Sequence, residues 1–144
     1  MYDLGQMGAS LTRTAIVVDR QLGIGFAANA AALVALTLGA RRPDLAGPDL
    51  IDGAGRRHPG LLPVGLPILA GTADEIARTR DRAADVPDVL LIDFPAYGQT
   101  TNDYAEVVRL VADTPPDHLR YLGLALHGPS EVIRTLTRQF SLLR

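Results

Sequence analysis

Four short apolar runs recur along this chain, and each is followed by a turn and a helix-start signal. TAIVV (Thr14–Val18) is β-branched and wholly apolar, the pattern of a strand buried on both faces. A turn follows, DRQLGIG, with Gly23 and Gly25 as breakers. A helix is predicted from Phe26 to Leu38, closed by Gly39; being apolar all round, it is expected at the centre of the fold. LPILAG (Leu66–Gly71) is the second strand, and Thr72 with Glu75 forms a capping box opening a helix that ends near Ala84. VLLIDF (Val89–Phe94) is the third, with Thr100 or Thr101 expected to cap a helix ending near Ala112. YLGLALHG (Tyr121–Gly128) is the fourth, and Pro129 suits the first turn of a last helix reaching Gln139. Between the first two strands, GPDLIDGAGRRHPGLLP reads as a hairpin or irregular excursion around Asp52-Gly53. FSLLR adds one short strand. Strands alternating with helices predict an α/β three-layer sandwich with a mixed, mostly parallel sheet. At 144 residues the chain suffices for one domain with a core and is too short for two. Residues 1–12 read as a loose tail and residues 13–144 as a single α/β domain.

Composition narrows the chemistry more than the fold. The chain has no cysteine, so it has no disulfide, thiol nucleophile or thiolate metal site. It has no lysine either, and all 14 basic residues are arginine. Schiff bases, Walker A phosphate cradles and lysine general bases are therefore excluded. The net charge is −2, and the arginines fall in small groups (Arg41–Arg42, Arg56–Arg57, Arg78 with Arg80 and Arg82), so no basic block suggests nucleic acid. Leu22 to Ala40 carries no charge and meets the length of a membrane span. Its Ala and Gly content, Asn29, Thr37 and the preceding strand favour a buried core helix. The N-terminal residues lack the pattern of a signal peptide, and a cytoplasmic protein is expected.

Candidate functional residues cluster by expectation at the strand ends. Gly23-Ile24-Gly25-Phe26-Ala27-Ala28 fits the dinucleotide fingerprint G-x-G-x-x-A, yet four residues separate the strand from Gly23 and no second strand ends in the required acid. A turn with close helix–sheet packing is the plainer reading, and no cofactor is expected. Asn29 is the only polar side chain between Phe26 and Leu36, expected either to bond the neighbouring turn or to project into a site. Asp93 closes a buried strand, where open α/β sheets place ligand-binding and catalytic groups. Tyr97 and Tyr104 are within reach of the same cleft. Among the histidines, His58 is the best acid–base candidate by type, His127 ends a strand, and His118 reads as loop surface. Their spacing gives no metal motif. The three serines lack a G-x-S-x-G setting.

Four segments together resemble a known family: IVVDRQLGIGFAANAAA, GPDLIDGAGRRHPGL, the strand end DF followed by QTT and Tyr104, and YLGLALHGPSEVIRTLTRQFSLL. From Ala15 to Leu143 the chain resembles a bacterial family of uncharacterised proteins, domain of unknown function two-thousand. That family is similar in fold to the type II peptidyl-tRNA hydrolases, which implies an α/β domain of peptidyl-tRNA hydrolase II type and a homodimer. The apolar strand, Gly128-Pro129, helix and Leu-rich end follow the hydrolase pattern closely. Asp93, Ala96, Gly98 and Thr100 echo the hydrolases' Asp-Ala-Gly-x-Thr segment loosely. The hydrolases' lysines have no counterpart here, Asn29 stands where they carry glutamine, and Ala32 stands near their histidine. The resemblance thus supports the fold and undercuts the reaction.

Three functions follow. The first is a small-molecule enzyme or binding protein using one cleft. Its catalytic groups are Asp93, His58 and Asn29, and its substrate contacts are Asp19, Arg20, Gly23, Gly25, Thr100, Thr101 and Tyr104. The second is tRNA or aminoacyl-ester binding or hydrolysis through Arg20, Arg41, Arg42, Arg56 and Arg57. The third is a non-catalytic dimeric interaction module, marked by a contiguous apolar patch.

Overall fold

The computed structural model describes residues 11–144. Most of the expected tail therefore lies outside the described residues; its last member, Thr12, opens the first strand. Seven strands and five α-helices follow in the order β1 (Thr12–Asp19), α1 (Ile24–Arg41), β2 (Leu50–Ile51), β3 (Arg57–His58), β4 (Ile68–Gly71), α2 (Ala73–Ala84), β5 (Leu90–Pro95), α3 (Tyr97–Thr100), α4 (Tyr104–Ala112), β6 (Tyr121–Pro129), α5 (Ser130–Thr137) and β7 (Ser141–Leu142). Five strands form one sheet in the order β5-β6-β1-β4-β7, and β2 with β3 forms a separate hairpin.

The expected sheet was mostly parallel; the observed one is mixed with mostly antiparallel pairs. Only β1 and β4 pair in parallel, while β1–β6, β5–β6 and β4–β7 are antiparallel. The alternation of strand and helix did give β1, β4 and β5 one common direction. The reversed strand β6 lies between β1 and β5, so it converts two would-be parallel neighbours into antiparallel pairs. Strand order decides this, and a local apolar pattern carries no information about order.

Helices cover both faces. Val17, Leu69, Leu124 and Leu126 pack with Ile76 and Ala83 of α2 and Ile133 and Leu136 of α5. Ile16, Val18, Ile92, Phe94 and Ala125 pack with Ala27, Ala30, Ala31, Val34 and Leu38 of α1. The alternation of Ile16 and Val17 between these two cores is the period-2 pleat of a strand buried on both sides.

Helix α1 is not central, contrary to its uniformly apolar sequence. Only the one face just named is buried, while Ile24 is 92% and Leu36 77% exposed. Nor does Gly39 end it; the helix runs to Arg41, where Arg42 N–H closes on Leu38 O at 2.9 Å and Pro43 follows. The Thr72–Glu75 capping box is present as read, with the Glu75 amide donating to Thr72 Oγ1 at 3.1 Å and the Thr72 amide to Glu75 Oε1 at 2.9 Å. Pro129 is the last residue of β6, so the final helix opens one residue later than expected. Asp103 caps α4, accepting from Ala105 N–H at 3.0 Å. The expected caps act elsewhere: Thr100 donates to Tyr97 O and Thr101 accepts from Asp103 N–H.

Gly71 at the end of β4 lies against the ring of Phe140, and a Cβ there would collide with it. Phe140 is a buried core residue, so the ring has little room to move. Gly71→Ala is expected to lower unfolding stability by about 1–3 kcal/mol in chemical denaturation, and Phe140→Leu in the same chain is expected to recover part of that loss. Additive losses in the double variant would refute the clash.

Candidate functional site

The carboxyl ends of β1, β4 and β5, the amino end of β6 and the starts of α1 and α2 all meet at one end of the sheet. Open α/β sheets place ligands there. Two clefts open at this end, on opposite faces of the sheet.

The first cleft holds about 700 Å³ and lies between α1, β5 and the α3–α4 segment. Its wall is built by a helical stripe: Tyr104, Val107, Val108 and Val111 recur at the i, i+3, i+4, i+7 spacing that puts them on one side of α4. No residue of α4 is buried, so this stripe faces the cleft instead of filling a core. Leu33 and Thr37 of α1 and Ile92 and Phe94 of β5 add to the lining, with Thr101 and Asn102 as polar groups. Gly98 of α3 sits under Phe94, where an added Cβ would come within 2.7 Å of the ring, so the loop can approach β5 only as glycine. Tyr97 OH meets Thr114 Oγ1 at 3.0 Å; since that hydroxyl donates to Leu110 O at 2.7 Å, the tyrosine is the donor. The bond ties α3 to the far end of α4.

The second cleft, about 480 Å³, is polar and lies beside the start of α2. Its deepest group is Asp19, 1% exposed. One carboxylate oxygen accepts from Gln21 N–H at 2.9 Å and the other from Arg120 Nη2 at 2.8 Å. Reading the sequence missed Arg120. The available signal was an arginine directly before one apolar strand and an aspartate directly after another; the two meet because β6 lies antiparallel beside β1.

The predicted catalytic trio is not assembled. Asp93 contributes to the first cleft, but its carboxylate accepts from Arg80 Nε at 3.0 Å. Arg80 is on α2, across the sheet from α1, and its guanidinium stacks 5.6 Å from the Tyr121 ring centroid. Ile92 and Phe94 take the α1 side, so the pleat sends Asp93 the other way. Asn29 is exposed on the outer side of α1, neither tied to the turn nor brought to Asp93. His58 belongs to the β2–β3 hairpin, where Nε2 lies 2.9 Å from Asp52 Oδ2. Asp52 organises that turn: the bond to His58 and the backbone amides of Arg56 and Ala54 bring its carboxyl down to about 2.

The substrate contacts divide in the same way. Asp19 belongs to the polar cleft, and Thr101 and Tyr104 to the apolar one. Arg20 lies 3.7 Å from Glu75 at the rim of α2. A Cβ at Gly23 or Gly25 would meet nothing within 4 Å, so neither glycine serves a close helix–sheet approach. Four of the five arginines named for nucleic acid carry a carboxylate partner: Arg20 with Glu75, Arg42 with Asp44, Arg56 with Asp52 and Arg57 with Asp49. Among the described residues no group of three or more His, Asp and Glu side chains is placed to hold a metal ion.

His127 lies at the opposite end of the sheet, facing Thr14 across the β1–β6 pair, with Nδ1 2.7 Å from Thr14 Oγ1. Burial lowers its pKa from the ordinary 6.5, assisted by Arg42 and opposed by Asp44. The native chain therefore binds the His127 proton less readily than the unfolded chain does. Stability from this site is complete above pH 6.5 and falls as the pH drops below it. Denaturation midpoints are expected to decline between neutral pH and the acid side of that value, and to decline less in His127→Gln. Identical pH profiles for the two chains would contradict the assignment.

Comparison with known proteins agrees with this architecture. A solved structure of a protein of unknown function, Atu0240 from Agrobacterium tumefaciens strain C58, superposes with a TM-score of 0.83, covering 92% of this chain and 98% of that one at 18% identity. That likeness concerns the fold alone. No curated protein matches the chain. The family model described as protein of unknown function (DUF2000) matches residues 12–144, from the first strand to the last residue, and the chain belongs to that family.

Proposed function

We propose that the chain binds a small, uncharged, mostly apolar molecule in the cleft between α1, β5 and α4. The observation carrying this reading is the apolar stripe of α4, which lines a cavity of about 700 Å³ and leaves it open. Ligand sites are concave, mainly apolar and supplied with a few polar groups that set orientation. Here those groups are Thr101, Asn102 and Tyr104. The one ionisable carboxylate among the lining residues, Asp93, is engaged by Arg80, which favours a ligand without a positive charge. Binding is easier to support than catalysis, because among the described residues lining this cleft the one carboxylate, Asp93, is engaged by Arg80. We read the scaffold as similar to that of the type II peptidyl-tRNA hydrolases, and the protein as cytoplasmic. Arginines already matched by carboxylates leave little electrostatic attraction for a tRNA backbone.

The test uses Nile red, a neutral dye that fluoresces in apolar surroundings. The protein is expected to bind it, and Val107→Glu is expected to weaken binding by about tenfold or more, since the new carboxylate would lose water on ligand entry. Equal dye binding by both chains, with equal melting temperatures, would remove this reading.

A second reading rests on the outer side of α1. From Gly23 to Ala40 the chain carries no charge, and Ile24, Phe26 and Leu36 are exposed there along a helix about 27 Å long. Such a face suits a second copy of the same chain, because an isologous contact across it brings no like charges together. Sedimentation is expected to give a dimer and Leu36→Glu a monomer; a monomeric parent chain would exclude this interface.

A further inference from the structure

The polar cleft has its own logic, separate from the apolar one. Asp19 is a fully buried carboxylate, and burying a charge is costly unless it is paired and hydrogen-bonded. Its side-chain partner among the described residues, Arg120, is itself 59% exposed. The buried carboxylate thus holds a guanidinium at one nitrogen, Nη2, on a side chain that lines the cleft and is more exposed than buried. A fixed fork of this kind loses little freedom on binding and matches a carboxylate with two parallel N–H donors.

The rest of the lining decides what such a ligand must carry. Asp74, Asp117 and His118 line the same cleft, as do Gln21 and Thr72. Asp19 and Arg120 neutralise each other. Asp74 and Asp117 add two carboxylates to the lining, Asp117 with one oxygen 4.0 Å from His118 Nε2. A simple anion would be attracted by Arg120 and repelled by both aspartates, whereas a simple amine would leave the open side of Arg120 unused. A molecule bearing both charges a few ångströms apart satisfies both sides.

We propose that this cleft is a binding site for small zwitterions of the amino-acid class. The ligand carboxylate pairs with the open N–H groups of Arg120, and its ammonium lies on the Asp74 and Asp117 side. At about 480 Å³ the cleft is within the size range of small-molecule sites and has room for a side chain beyond the two charged ends. Asp19 does not touch the ligand; it positions Arg120.

Three probes that differ in which charged group they carry separate the terms: alanine with both charges, propionate with the negative one alone, and ethylamine with the positive one alone. Titration followed by amide NMR shifts is expected to show alanine bound at least about tenfold more tightly than either of the others. Arg120→Lys keeps a cation for Asp19 but removes the fork, and is expected to cost alanine about tenfold while ethylamine is unchanged. Asp74→Asn is exposed, leaves the Asp19 pair intact, and is expected to weaken alanine and ethylamine together while propionate gains. Melting temperatures of both variants report whether the fold is kept. Equal affinity for the three probes, no alanine binding at millimolar concentration, or alanine affinity unchanged in both folded variants would overturn the proposal.

Discussion

The ladder between β1 and β6 is the interaction on which the rest of the structure depends. It aligns Thr12 to Val18 against Pro129 to Gly123 in continuous antiparallel register. Both strands are buried on both faces, so their backbone N–H and C=O groups have no access to water and must be matched within the sheet. With β6 fixed, β5 pairs on its other side; with β1 fixed, β4 pairs in parallel and carries β7. The same register creates two long-range polar contacts. It sets His127 opposite Thr14 at one end and brings Arg120, just before β6, to Asp19 at the other.

The two faces of that sheet are finished differently. On one, α2 and α5 close over a continuous apolar core whose edge carries the Arg80–Asp93 pair and the Arg80–Tyr121 stack. On the other, α1 packs its Ala-rich side tightly, because small side chains let a helix lie close to the strands. Its remaining apolar surface is uncovered, and α4 stands off from β5 instead of filling the gap. The fold thus separates an apolar face from a polar cleft by the thickness of a single sheet.

Much of the fold was legible in the residues. Apolar runs located β1, β4, β5 and β6, the Thr72–Glu75 pair located the start of α2, and the Asp-Gly turn located the β2–β3 hairpin. These signals are local: a capping box is satisfied within one turn of helix, and a run of branched apolar residues favours extended backbone wherever it lies. The site was less legible. Asp19, Thr101 and Tyr104 stand out in the sequence, and each lines a cleft. Asp93, Asn29 and His58 stand out too, but as one constellation, and the pleat, the helix face and the hairpin separate them.

By itself the sequence determined the inventory: which segments extend and which coil, the absence of thiol and lysine chemistry, and a helix uncharged as far as Ala40. Tertiary structure alone decided partnership and exposure. Strand order is a choice among long-range hydrogen-bond pairings that no local pattern encodes, and it made the sheet mainly antiparallel. Which side of α1 is buried depends on what packs against it, so an all-apolar helix became a half-exposed one. Asp19 and Arg120 are 101 residues apart along the chain, and only an antiparallel neighbour could bring those two charges to one cleft.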